Sequence, residues 1–146
     1  MARPRLGLVV AQFDKQGGVV AEMEDSAREA AREHGAEIVE TLAVPGSYDT
    51  PLAADRLARR GSVDAVAVVG AIVTGDTDHD QLIGHAAADG LREVALDRDT
   101  PVTLGISGPG MSRDEALARV DYGANAVESA IQLLTTLEDE DNTRSR

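Results

Sequence analysis

The residues best suited to chemistry cluster around His79, which stands between Asp78 and Asp80 at the expected start of a helix, in the polar loop that follows an apolar run. An imidazole flanked by carboxylates can be held in one tautomer and exchange protons near neutral pH. The competing reading is an inert surface histidine among acids, and a place just beyond a strand favours proton transfer. Just before it, Gly75, Asp76 and Thr77 offer backbone amides and a hydroxyl for a ligand. Oxygen and imidazole donors also suit a divalent ion. However, neighbouring residues cannot all point at one ion, and no second set of ligands accompanies Asp76, Asp78, His79 and Asp80, so no metal is expected. His34 and His85 read as structural or solvent-facing.

Arg119 is the best fixed cation for a phosphate, against the alternative of an ion pair with Glu115 one helical turn away. The aromatic residues are Phe13, Tyr48 and Tyr122 alone. Phe13 and Tyr48 follow strands rather than occupying core positions, which favours stacking on a planar heterocycle over a packing role for Phe13. The stretch Gly105–Gly110 spaces its glycines as G-x-x-G-x-G, unlike a dinucleotide fingerprint, and there is no P-loop. It can cradle a small anion or serve as a tight packing turn; its residues leave both open.

The elements that must carry these groups alternate strand and helix. Leu6–Ala11 is a short apolar strand, followed by helical spacing of Val20, Met23, Ala27, Ala30 and Ala31 up to Gly35. Ile38–Val44 is a second strand, broken by Pro45-Gly46, with a shorter helix from Pro51 to Gly61. Ala65–Val69 is a buried strand opening at Gly70 into the His79 loop, and Leu82, Ile83, Ala86, Ala87, Leu91, Val94 and Ala95 mark the next helix. Val102–Ile106 is the fourth strand. Ser112 and Glu115 form a capping box for a last helix whose apolar stripe is Leu117, Val120, Ala124, Val127, Ile131 and Leu134. Four strands alternating with helices predict a three-layer α/β/α sandwich around a four-stranded parallel sheet. The strand carboxyl ends then share one edge, where ligands of such sheets bind.

The chain has 146 residues, enough for one domain with a real core. That domain is expected over residues 1–137, with 138–146 a polar tail lacking order. With no cysteine, disulfides, thiolate nucleophiles and sulfur-ligated metals are excluded. A net charge of -12 without a basic cluster argues against nucleic acid as a partner. Lys15 is the only lysine, and such a carboxylate-rich surface suits a halophilic host, where salt screens its self-repulsion. No apolar run is of membrane-spanning length, and a cytoplasmic protein is expected.

Four motifs in order give the chain a specific likeness: Ala11-Gln12-Phe13-Asp14; Val44-Pro45-Gly46-Ser47-Tyr48-Asp49-Thr50-Pro51; Gly70 through His79; and Pro101 through Met111 with Arg119-Val120-Asp121-Tyr122-Gly123. In these it resembles the lumazine synthase family, archaeal type, over almost its whole length. The resemblance implies condensation of 5-amino-6-(D-ribitylamino)uracil with 3,4-dihydroxy-2-butanone 4-phosphate, with no cofactor, in pentamers, decamers or sixty-subunit shells. It implies that Phe13 stacks on the pyrimidine, that Ser47, Tyr48 and Asp49 hold the ribityl chain and ring, and that Ala71, Ile72 and Val73 meet the uracil edge through backbone groups. His79 would relay protons, Asp76 and Thr77 would bind phosphate, and Leu104 and Arg119 would come from an adjacent subunit. The chain departs from the family in having Asp14 where Asn is frequent, Tyr48 where Phe is frequent, Leu104 where an aromatic is frequent, and no lysine in Gly123-Ala124-Asn125-Ala126. An archaeal riboflavin synthase and a non-catalytic flavin- or lumazine-binding or cage-forming protein are the rival readings; His79 and Arg119 together favour catalysis.

Overall fold

A computed structural model describes residues 3–12, 18–73 and 78–144. The strands are β1 (Arg5–Ala11), β2 (Glu37–Val44), β3 (Ala65–Val73) and β4 (Val102–Met111), and all three pairings are parallel in the order β2-β1-β3-β4. The helices are α1 (Val19–Glu33), α2 (Thr50–Ala58), α3 (His79–Arg98), α4 (Arg113–Leu117) and α5 (Tyr122–Arg144), with a 3-10 turn at Ser47–Asp49. Side chains alternate across the sheet, as strand geometry requires. Along β3, Ala65, Ala67, Val69 and Ala71 enter a core with α1 and α5, whereas Val66, Val68 and Ile72 enter a second core with α2 and α3. Two cores on opposite faces of one parallel sheet make the three-layer sandwich that the alternation predicts.

Local chemistry sets several boundaries as expected. Gly35 takes φ 71° beyond α1, a conformation costly for residues bearing a Cβ. Ser112 caps α4 by accepting from the Glu115 amide at 3.2 Å, while Glu115 accepts from the Ser112 amide at 3.0 Å.

Four boundaries differ from the sequence reading. β3 continues past Gly70 to Val73, and β4 runs through Gly108-Pro109-Gly110 to Met111 rather than stopping at Ile106. A register shift after Ala71 puts Gly108-Pro109-Gly110 in a bulge and lets Val73 pair with Met111, so the glycine-rich stretch is part of β4 rather than a free turn.

The single last helix is in fact α4 and α5 joined by a tight turn, with Arg119 N–H donating to Ala116 O and Tyr122 N–H to Arg119 O, each at 3.0 Å. The break turns α5 onto α1 at Gly123, where an added Cβ would lie 2.0 Å from the Met23 carbonyl oxygen. Such an approach demands glycine, and periodicity alone does not show it.

The stripe assigned to α3 is narrower than expected: Ala87, Leu91 and Val94 are buried, whereas Leu82 is exposed. Finally, α5 continues as helix through Arg144 instead of ending in an irregular tail at Glu138. Its last turns are exposed, with Thr143 Oγ1 donating to Asp139 O at 2.9 Å and an Arg144–Glu140 pair at 3.8 Å.

Candidate active site

The tips of the parallel strands lie along one edge, and the turn that follows β2 packs against it. After β2, Ser47 is buried while Tyr48 stands two-thirds exposed, at 66%. The turn is held locally: Asp49 Oδ2 accepts from the Gly46 amide at 3.0 Å, and Thr50 Oγ1 donates to Ser47 O at 2.8 Å. Ser47 reaches across to β3, because a Cβ added at Gly70 would lie 3.2 Å from Ser47 Oγ and 3.0 Å from Ala11 Cβ. Gly70 therefore brings the β2 turn down onto the β1 and β3 tips. Gly108 does the same for β4: it sits at φ 90°, and a Cβ there would meet Ile72 O at 2.2 Å.

Ala71 and Ile72 are buried and Val73 is half-buried, so what this tip can offer a ligand is main-chain groups more than side chains. His79 is the first residue of α3 and is exposed. Phe13, Asp76 and Thr77 lie outside the described residues, as does the rest of the 74–77 segment.

Leu104 stands apart from this group. Leu104 is opposite Val68 in the ladder, five residues before Val73, and so about 17 Å short of the tips at 3.3 Å per residue. It lies on the sheet edge remote from β2 and is 54% exposed. Beside it a groove of about 290 Å³ is lined by Thr103, Leu104, Tyr122, Asn125, Ala126 and Ser129. Arg119 sits in the α4–α5 turn rather than within a helix. Its Nη1 donates to Glu115 O at 2.9 Å and lies 3.9 Å from Glu115 Oε2, so the anticipated i to i+4 contact exists mainly as a bond to the carbonyl. The Glu115 carboxyl is held below its ordinary range, chiefly by the Ser112 amide hydrogen bond, with Arg119 adding a smaller attraction.

Among the described residues two buried polar atoms lack hydrogen-bond partners, Oδ2 of Asp80, which flanks His79, and Oγ of Ser107, which sequence reasoning missed. Ser107 is fully buried opposite Ala71 in the ladder, and a hydroxyl left so costs about 1–3 kcal/mol. Nothing in the spacing around Ser107 marks it, since its burial follows from the unexpected extension of β4.

Fold and site together define an α/β protein with polar and main-chain groups at the carboxyl edge of a parallel sheet and a second set of exposed groups on the far sheet edge. Residues 3–138 match the family described as 6,7-dimethyl-8-ribityllumazine synthase. The chain is 63% identical over 133 residues to the 6,7-dimethyl-8-ribityllumazine synthase of Halobacterium salinarum, covering 91% of this chain and 98% of the relative. It is 62% identical to the enzyme of the same name from Halorubrum lacusprofundi over the same shares, and 45% identical to that of Methanopyrus kandleri over 94% and 96% of the two chains. The chain belongs to the 6,7-dimethyl-8-ribityllumazine synthase family, enzymes of riboflavin biosynthesis. None of its described helices is long and apolar enough to cross a membrane.

Proposed function

We propose that the protein joins 5-amino-6-(D-ribitylamino)uracil to 3,4-dihydroxy-2-butanone 4-phosphate as a cytoplasmic homo-oligomer, at least pentameric, with no cofactor. The observation that carries this reading is the kinship with lumazine synthases across 91% of the chain. The 5-amino group attacks the ketone and loses water to give an imine. Phosphate is then eliminated, and attack by the ribitylamino nitrogen closes the second ring with loss of another water. Each step moves protons but no electrons to an external acceptor, so a positioned acid–base group and close approach of two substrates supply the acceleration.

His79, at the head of α3, exchanges the protons. Ser47, Tyr48 and Asp49 hold the ribityl chain and ring, Phe13 stacks on the ring, and the main chain of Ala71, Ile72 and Val73 meets the uracil edge. Asp76 and Thr77 contribute amides, and Thr77 its hydroxyl, to the phosphate. Arg119 and Leu104 complete the site of the next subunit. Geometry supports that division: Ser47 follows one edge strand and Leu104 lies on the other, three strand spacings apart, or about 14 Å across the sheet. A ring of subunits joined edge to edge brings the two groups together, and a monomer is inactive.

Incubating the protein with both substrates and following lumazine absorbance tests the reading. Formation of the lumazine only by the assembled species supports it. No product at any assembly state overturns it.

A further inference from the structure

The groove on the free edge of β4 holds side chains to which no role has been assigned. Its lining of Thr103, Leu104, Tyr122, Asn125, Ala126 and Ser129 contains no charged group. Thr103 is already committed, donating to Ala126 O at 2.7 Å. Tyr122 and Asn125 lie three residues apart on α5 and so on one face of it, and both are exposed. Among the described residues their side chains have no hydrogen-bond partner.

Both described aromatic rings of this protein are thus at the surface, Tyr48 at 66% beyond β2 and Tyr122 at 37% beside β4, on opposite edges of the sheet. Aromatic rings ordinarily bury their large apolar area, and an exposed ring beside neutral donors and an apolar side chain suits an uncharged, planar or hydroxyl-rich ligand. An anion would instead require a cation or a cluster of amides.

We infer that Tyr122 and Asn125 are specificity residues for the uncharged ribitylaminouracil, contributed together with Leu104 to the neighbouring subunit's site and facing Tyr48 of that subunit. This rests on the proposed condensation and on edge-to-edge assembly. The Asn125 carboxamide offers two donors and an acceptor to ribityl hydroxyls or ring carbonyls, and the Tyr122 ring supplies a flat apolar surface with a hydroxyl at its rim. Recognition is then divided on this wall: Arg119 for the phosphorylated ketone, Tyr122 and Asn125 for the partner that carries no charge.

The test is steady-state kinetics of the assembled wild-type protein, Asn125→Ala and Tyr122→Ala, varying each substrate in turn, with oligomer mass measured by light scattering. Loss of one hydrogen bond or of one stacking face predicts a roughly 3- to 10-fold rise in KM for ribitylaminouracil, with the KM for the phosphorylated ketone within twofold of wild type. Asn125→Asp, which keeps an acceptor but loses the donors, should raise the same constant. If wild type forms lumazine while both alanine variants leave both KM values unchanged, the inference fails and the proposed function stands. If only the KM for the phosphorylated ketone rises, the groove belongs to the anion and the inference fails in the same way. If wild type forms no lumazine, the functional reading falls and the inference with it.

Discussion

Replacing Arg119 by alanine separates a functional side chain from a structural one more cleanly than any other change at this site. Within the protomer its contacts are modest: Nη1 donates to Glu115 O at 2.9 Å, and the pair with Glu115 Oε2 is long, at 3.9 Å. The side chain is more than a third exposed, and ion pairs of that kind contribute about 0–1 kcal/mol. The turn itself is made by main-chain bonds, Arg119 N–H to Ala116 O and Tyr122 N–H to Arg119 O, which the substitution leaves intact. The expected stability loss is therefore below about 1 kcal/mol, or about 2–4 °C in Tm for a domain of this size.

The functional loss is larger if the guanidinium binds phosphate. A hydrogen bond to a charged group is worth about 1.5–3 kcal/mol, and each 1.4 kcal/mol is a factor of ten, so KM for the phosphorylated ketone should rise roughly 10- to 150-fold. KM for ribitylaminouracil should stay near its wild-type value. The assay is initial-rate absorbance at saturating ribitylaminouracil, paired with a thermal melt. A KM for the phosphorylated substrate within twofold of wild type would refute the role of Arg119. A Tm fall beyond about 10 °C would instead show that the turn depends on the side chain, contrary to the bonds described above.

His79→Ala should lower kcat by a factor on the order of 10²–10⁴ while ribitylaminouracil binding, measured by calorimetry, stays within a few-fold; an unchanged rate removes His79 from the mechanism. Gly123→Ala should cost at least 1–3 kcal/mol in chemical denaturation, because the new methyl meets the Met23 carbonyl oxygen at 2.0 Å and α5 must lift off α1; an unaltered midpoint would show that the crossing is looser than described. On acidification the Asp55 carboxyl, held below its ordinary range chiefly by the Arg98 guanidinium (Nε to Oδ1, 2.7 Å), and the Glu115 carboxyl behave alike. Their folded pKa values lie below the unfolded ones, so the stability they contribute is present above about pH 4 and drains as pH falls toward the folded values. Arg98→Ala should flatten that acid limb, and an identical pH profile would contradict the pairing. With a net charge of -12, the unfolding midpoint should rise from low to multimolar salt; a flat response would end the halophilic interpretation of that charge.

What sequence alone determined here is local. Alternating apolar runs and glycine stops fixed four strands in the right places, since a buried parallel strand must be apolar on both faces, as Ala65–Val69 is. The Ser112–Glu115 capping box was legible because its partners are three residues apart and each bonds the other's main chain. His79 at the head of α3, and Ser47–Asp49 in a turn after β2, could likewise be placed from neighbouring signals.

The tertiary structure decided everything that depends on residues far apart in the chain. The order β2-β1-β3-β4 makes β2 and β4 the free edges, and no periodicity within a strand carries that information. The division of the last helix follows from Gly123 meeting Met23, one hundred residues earlier. The burial of Ser47 follows from the absence of a side chain at Gly70, and that of Ser107 from the continuation of β4 past Ile106, opposite Ala71. Tyr122, Asn125 and Leu104 share a groove because α5 packs back along the last strand, so three exposed and separately unremarkable residues become one wall. Local propensities act over a few residues, whereas a site at a sheet edge is built by contacts between elements, and those are made only when the layers close on one another.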